Sequence, residues 1–157
     1  MPTKRRLMRT FEGDNGEVVL QLEPGEKALE SIEAAIEEHD IDTGYVASGI
    51  GSLTQLHVHY VSGYDSFPDF PEEDEEIDEY IKEEAAWEVG SLQGAIADGE
   101  PHLHITAFDA ERDKMLAGHL EPDSIVHALM EIVVQPIEGL ELARRPEQMD
   151  IPMLQER

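Results

Sequence analysis

The 157-residue chain contains no cysteine. That excludes a disulfide framework, a thiolate metal site and a cysteine nucleophile, so a transition metal would have to be held by imidazole and carboxylate. Long hydrophobic runs are missing too. No segment approaches the roughly 20 apolar residues of a membrane span, and the opening "MPTKRRLMRTF" has no apolar core of the kind a signal peptide carries. The expectation is a soluble, cytoplasmic protein with no membrane partner. Basic residues are scarce. Lys and Arg number 11 against 36 Asp and Glu, a formal net charge of −25, and only four residues are lysine. Nucleic-acid binders usually display a basic face and gain affinity from counterion release, so non-specific DNA binding by this chain alone is disfavoured. The acids are spread along the chain rather than gathered in a tail. This is the composition of a protein kept soluble in concentrated salt, where screening over about 3 Å at 1 M suppresses self-repulsion. A halophilic source therefore ranks ahead of an acidic interaction surface.

The length suits one domain able to bury a core without staples. No internal repeat is visible. "TFEGDNGEVVLQLEPGE" reads as a hairpin turned by Asp14, Asn15 and Gly16. "EKALESIEAAIEEHDI" sets Leu29, Ile32 and Ile36 at helical spacing, with acids on the opposite side. "TGYVASGIGSLTQLHVHYVSG" offers a strand, a corner at Gly49 and Gly51, and an alternating strand through Val61. Gly49-Ile50-Gly51 lacks the third glycine and the following helix of a dinucleotide fingerprint. "FPDFPEEDEEIDEYIKEE" predicts a solvated acidic excursion over about 67–84. There, Ile77, Tyr80 and Ile81 could form a helical turn, or Tyr80 to Trp87 could begin a strand; the "EEDEE" run reads as a solvated loop rather than a cation chelator. "WEVGSLQGAIADGEPHLHITAFD" predicts two strands about an Asp98-Gly99 turn, and "KMLAGHL" a third. "SIVHALMEIVV" is ambiguous between helix and strand, its β-branched end favouring a strand. The single domain is expected over 1–143, with residues 144–157 as a C-terminal arm.

Three of the seven histidines lie in "PHLHITAFDAERDKMLAGHL". His102 and His104, two apart in a strand, leave the same face. If the chain turns back through Ala110 to Asp113, the symmetric register pairs Asp109 with Lys114 and therefore His104 with His119. Opposed residues share a face with Cβ atoms about 4.5–5.5 Å apart, so His102, His104 and His119 can converge on one ion bound at about 2.0–2.1 Å. A one-residue slip would send His119 to the other face. Three nitrogen ligands leave a tetrahedral zinc an open fourth position. Glu131, isolated in the apolar run "LMEIVV", is the candidate acid beside it, because a buried carboxylate needs a partner. The alternative is that these histidines only hydrogen-bond within a polar patch between subunits. His57 and His59 form a second alternating pair that no register argument ties to the first; they read mainly as surface histidines, with lining of the same cavity as the alternative. His39 sits where it can face a helix C-terminus. His127 has no assigned role. Ser48 and Ser52 are not in a nucleophile elbow.

The blocks "GEKALESIEAAIEEHDIDTGYVASGIGSL", "WEVGSLQGAIADGEPHLHITAFD", "MLAGHL" and "MEIVV" resemble, in order, the plants-and-prokaryotes-conserved (PPC) domain over about residues 7 to 143. The resemblance implies an α+β domain of antiparallel or mixed β-sheets with one main flanking helix, assembled as a homotrimer. Plant members carry a separate AT-hook for the minor groove, and prokaryotic members are commonly called DNA-binding by extension. No Arg-Gly-Arg-Pro core occurs here, "TKRR" and "ARRPE" being the nearest fragments. More distantly, the His-x-His and Gly-His-Leu steps are similar to the zinc site of α-acetolactate decarboxylase, which implies His102, His104 and His119 as zinc ligands. That enzyme's arginine and acidic groups have no match in the sequence. The expected protein is a homotrimeric, zinc-binding, DNA-associated or regulatory component. The rivals are a zinc enzyme acting on a small carbonyl or acid substrate and a ligand- or partner-binding trimeric scaffold, and the balance falls toward a non-catalytic role.

Overall fold

The computed structural model describes residues 8–62, 78–146 and 151–157. The chain opens with a hairpin of β1 (Arg9–Glu12) and β2 (Val18–Leu22), in register from Arg9↔Gln21 to Glu12↔Val18, with Gly16 at φ 81° in the turn. Helix α1 (Ala28–Glu38) follows and buries Ala28, Leu29, Ile32, Ala35 and Ile36, the apolar stripe read from the sequence. It ends where Asp40 takes φ 51° and the Ile41 amide donates back to the Ile36 carbonyl at 3.0 Å, the left-handed C-terminal cap more often built on glycine.

The 18-residue strand β3 (Gly44–Val61) spans the whole "GYVASGIGSLTQLHVHYV" stretch as one bent element, its register shifted against its neighbours near Val46, Gly51 and Leu53. Strand β4 (Asp78–Ala97) pairs with β3 from Gly44↔Ile96 out to Val61↔Asp78. The strand alternative for the acidic stretch is therefore the one observed from Asp78 onward, because each residue there finds a β3 partner and Ile81 packs on the core. The "EEDEE" run and the helical turn considered around Ile77 lie outside the described residues or within this strand. Asp98 and Gly99, at φ 55° and 72°, make the tight turn into β5 (Glu100–Asp109), as the Asp-Gly signal requires. Strand β6 (Lys114–Leu120) returns from it. Strand β7 (Ile125–Pro136) resolves the ambiguous run as strand throughout, with Val126, Met130, Ile132 and Val134 buried at even spacing. The last segment, expected as an arm, forms a separate hairpin of β8 (Leu142–Pro146) and β9 (Pro152–Glu156). Arg144 ties it to the domain by donating to the carbonyls of Glu100 and Ala95 at 2.9 and 3.0 Å.

The main sheet runs β1-β2-β7-β3-β4-β5-β6, with every pairing among the described residues antiparallel. One further pairing bends it shut: β6 meets the far end of β3 at Val58↔Leu120 and His59↔His119, so β3, β4, β5 and β6 form a closed ring. The architecture is α+β, with one helix among the described residues packed on β2 and β7. Trp87, fully buried, fills the interior with Leu53, Leu56, Leu92, Ile105 and Met130, its indole N–H donating to the Glu83 carbonyl at 3.1 Å.

Candidate metal centre

The hairpin of β5 and β6 has the register that an even loop demands. Asp109 faces Lys114 and His104 faces His119. The loop is held by Asp109, whose side chain is 2 % exposed and accepts from the Glu111 amide at 3.1 Å and from the Arg112 guanidinium. That guanidinium beside it keeps the Asp109 carboxyl below the usual carboxylate range. His102, two residues before His104, joins the same face. The Nε2 atom of His102 stands 3.0 Å from Nδ1 of His119, and the potential ligand atoms of His102, His104 and His119 all lie within 4.8 Å of one another. Two nitrogens each about 2.05 Å from a tetrahedral ion would be about 3.3 Å apart, so the donor set fits a single small cation.

Electrostatics favour the neutral imidazoles that ligation needs. Burial lowers the His102 pKa, with the charges of Arg144, His104 and His59 acting in the same direction. Burial also pushes His119 down to about 4, helped by His59, His104 and His102 and opposed by Asp78. A site that disfavours the proton while gathering lone pairs is suited to a metal cation.

The fourth imidazole realises, for His59, the lesser of the two readings of the His57–His59 pair, a place beside the other histidines. His59 is the direct partner of His119 across β3 and β6, its ring stacked on that of His119 at a centroid distance of 4.1 Å and an interplanar angle of 13°. Its Nδ1 lies 2.6 Å from Oε1 of Glu121. Gly118 permits the approach: a Cβ there would fall 2.4 Å from the His59 carbonyl oxygen. Tyr80, opposite His59 on β4, leans over it with ring centroids 5.1 Å apart. His57 turns away, its Nδ1 2.8 Å from the Pro122 carbonyl.

Glu131 requires a correction. It is exposed on β7, between Gln21 of β2 and Ile50 of β3, because strand alternation directs Met130 and Ile132 inward and Glu131 outward. The carboxylate beside the histidines is that of Glu121. His39 caps α1 with its Nδ1 3.0 Å from Glu12 Oε1, and His127 is exposed on β7. Ser52 accepts from the Ala128 amide at 3.2 Å.

Comparison with known proteins is decisive for the family. The family model of the Plants and Prokaryotes Conserved (PCC) domain matches residues 9–138. The chain belongs to the PCC domain family. Among curated proteins, the PCC chain is 27 % identical over 128 residues to the bifunctional protein GlmU of a Synechococcus strain, an alignment that covers 82 % of this chain and 18 % of that one. The chain thus spans about a fifth of the length of the curated relatives it matches. Solved structures share the PCC fold. A candidate DNA-binding protein from Bacteroides thetaiotaomicron superposes with a TM-score of 0.78 at 18 % identity, covering 96 % of this chain and 98 % of that one. A plant- and prokaryote-conserved protein of Pyrococcus horikoshii gives 0.70 at 22 % identity over 100 % and 99 % of the two chains. A metal-containing protein from Archaeoglobus fulgidus gives 0.63 at 22 % identity over 92 % and 94 %.

Proposed function

We propose that this PCC-domain protein is a zinc-binding homotrimer that serves as a DNA-associated or regulatory component. The observation that carries the metal is the convergence of His102, His104 and His119 within 4.8 Å. The metal-containing relative of the same fold supports it. Zinc on three nitrogens would leave an open position able to polarise a carbonyl or activate water. Self-association is supported by the outward face of the sheet, where Phe11, Val19, Tyr45 and Ile50 are 55 %, 38 %, 42 % and 50 % exposed on neighbouring strands. An exposed apolar face of this kind marks a contact surface. The candidate DNA-binding relatives support association with DNA. The charge of −25 argues that the contact runs through a partner or a restricted patch rather than the whole surface.

The test is metal content per chain and molar mass by light scattering, on wild type and His104→Ala purified in high salt without an affinity tag. About one zinc per chain, lost in the variant, and a mass three times that of the chain are expected. Absence of metal from the wild type returns the histidines to a structural role, and a monomer removes the trimer.

A further inference from the structure

We infer that His59, oriented by Glu121, is the ligand-positioning wall of the metal centre: a hydrogen-bond acceptor for a small molecule that gives an oxygen to the metal and an adjacent N–H or O–H to the imidazole. The inference rests on the three-histidine metal reading and adds a residue and a ligand chemistry to it.

The argument begins with the proton on the ring. Glu121, as an acidic side chain, accepts, so the 2.6 Å contact assigns the neutral imidazole's hydrogen to Nδ1 and leaves a lone pair on Nε2. Glu121 is itself anchored on both sides. Its amide donates to the His57 carbonyl at 3.0 Å, its carbonyl accepts from the Ser124 hydroxyl at 3.2 Å, and Ser124 is fully buried. With the Glu121 backbone held in this way, its carboxylate contact orients the ring as well as its tautomer. The ring then lies parallel to His119, a member of the converging set, while Nε2 forms no hydrogen bond among the described residues. The imidazole is 16 % exposed and Tyr80, 60 % exposed, stands beside it. A partly shielded acceptor whose ring stacks on one of the three ligands is arranged for a guest bound beside the metal. His59 itself lies outside the group whose nitrogens meet within 4.8 Å, so it is not a fourth ligand of that group.

The test uses the full chain loaded with Co(II), whose visible spectrum reports coordination, titrated with acetohydroxamate and with N-methylacetohydroxamate. Both chelate through oxygen, but only the first keeps an N–H. Wild type is expected to bind acetohydroxamate about three- to tenfold more tightly than the methylated probe, the effect of one hydrogen bond. His59→Phe, which keeps a ring against His119, should retain the cobalt and lose the preference. Glu121→Ala, which leaves the imidazole but frees its tautomer, should weaken the preference. Cobalt binding with the same preference in wild type and His59→Phe overturns the inference alone. Failure of the wild type to take up cobalt overturns the metal reading and the inference together. If His59→Phe does not fold, an unchanged preference in Glu121→Ala is the overturning result.

Discussion

Gly118→Ala isolates the step that brings β3 to the histidines. An alanine methyl at this position would sit 2.4 Å from the His59 carbonyl oxygen, 3.2 Å from its carbonyl carbon and 3.4 Å from Val58 Cβ. A carbon and an oxygen in ordinary contact need more than about 3 Å, so the strands must part by several tenths of an ångström. The obstacle is backbone and cannot rotate away. What yields is the short β3–β6 pairing at Val58↔Leu120 and His59↔His119, because the β5–β6 register is secured along its whole length from His104↔His119 to Asp109↔Lys114. Overpacking of this kind costs about 1–3 kcal/mol. For a chain of this size that lowers Tm by about 2–12 °C. Gly90 supplies the control, since a Cβ there meets nothing within 4 Å. Thermal unfolding of both variants in concentrated KCl is the assay. Gly118→Ala should melt lower by that amount, keep its metal through the intact hairpin, and lose the hydroxamate preference; Gly90→Ala should melt near wild type. The reasoning is refuted if Gly118→Ala melts at or above Gly90→Ala, or if it retains the preference in full.

Two further outcomes follow from charge. With a net charge of −25, Tm should climb as KCl is raised from about 0.1 M to 2 M, as screening shortens from about 10 Å toward 3 Å or less, and a flat Tm would remove the halophilic reading. In the metal-free protein, His119 has a folded-state pKa of about 4, below the ordinary imidazole value of 6.5, and that of His102 is also lowered. A depressed imidazole pKa means that the unfolded chain takes the proton first, so this contribution to stability is complete above pH 6.5 and is lost as pH falls toward 4. Denaturant midpoints of wild type and His119→Gln, measured from pH 7.5 to 5.5, should therefore show wild type losing ground to the variant; parallel curves would contradict the shift.

The difference between what could be read in advance and what could not follows the range of the interactions. The Asp98-Gly99 turn, the α1 stripe and the β5–β6 register are decided by residues within about twenty positions of one another, and short loops leave few alternatives. His104 opposite His119 is legible for that reason: a four-residue loop from Ala110 to Asp113 permits one symmetric pairing, which is the one present. His59 was not legible, although its alternation with His57 was plain, because its place depends on β3 and β6 meeting across 60 residues of chain. No turn counts that distance. A trace of it was present in Gly118, the glycine before His119, whose missing side chain the structure shows to be room for a backbone. Glu131 failed for a different reason. An acid in an apolar run suggests burial only if both faces of the strand are covered, whereas β7 has one face on the core and the other outward, so alternation places Glu131 among Gln21 and Ile50. The acid that does reach the imidazoles, Glu121, lies at the end of β6 and before Pro122, where composition reads only as a turn. Its contact with His59 exists because Ser124 and the His57 backbone clamp that turn against β3. The closure that hides His59 from sequence reading is thus the same one that stacks its ring on His119, and Gly118 is the residue at which the closure and the proposed role of His59 can be tested together.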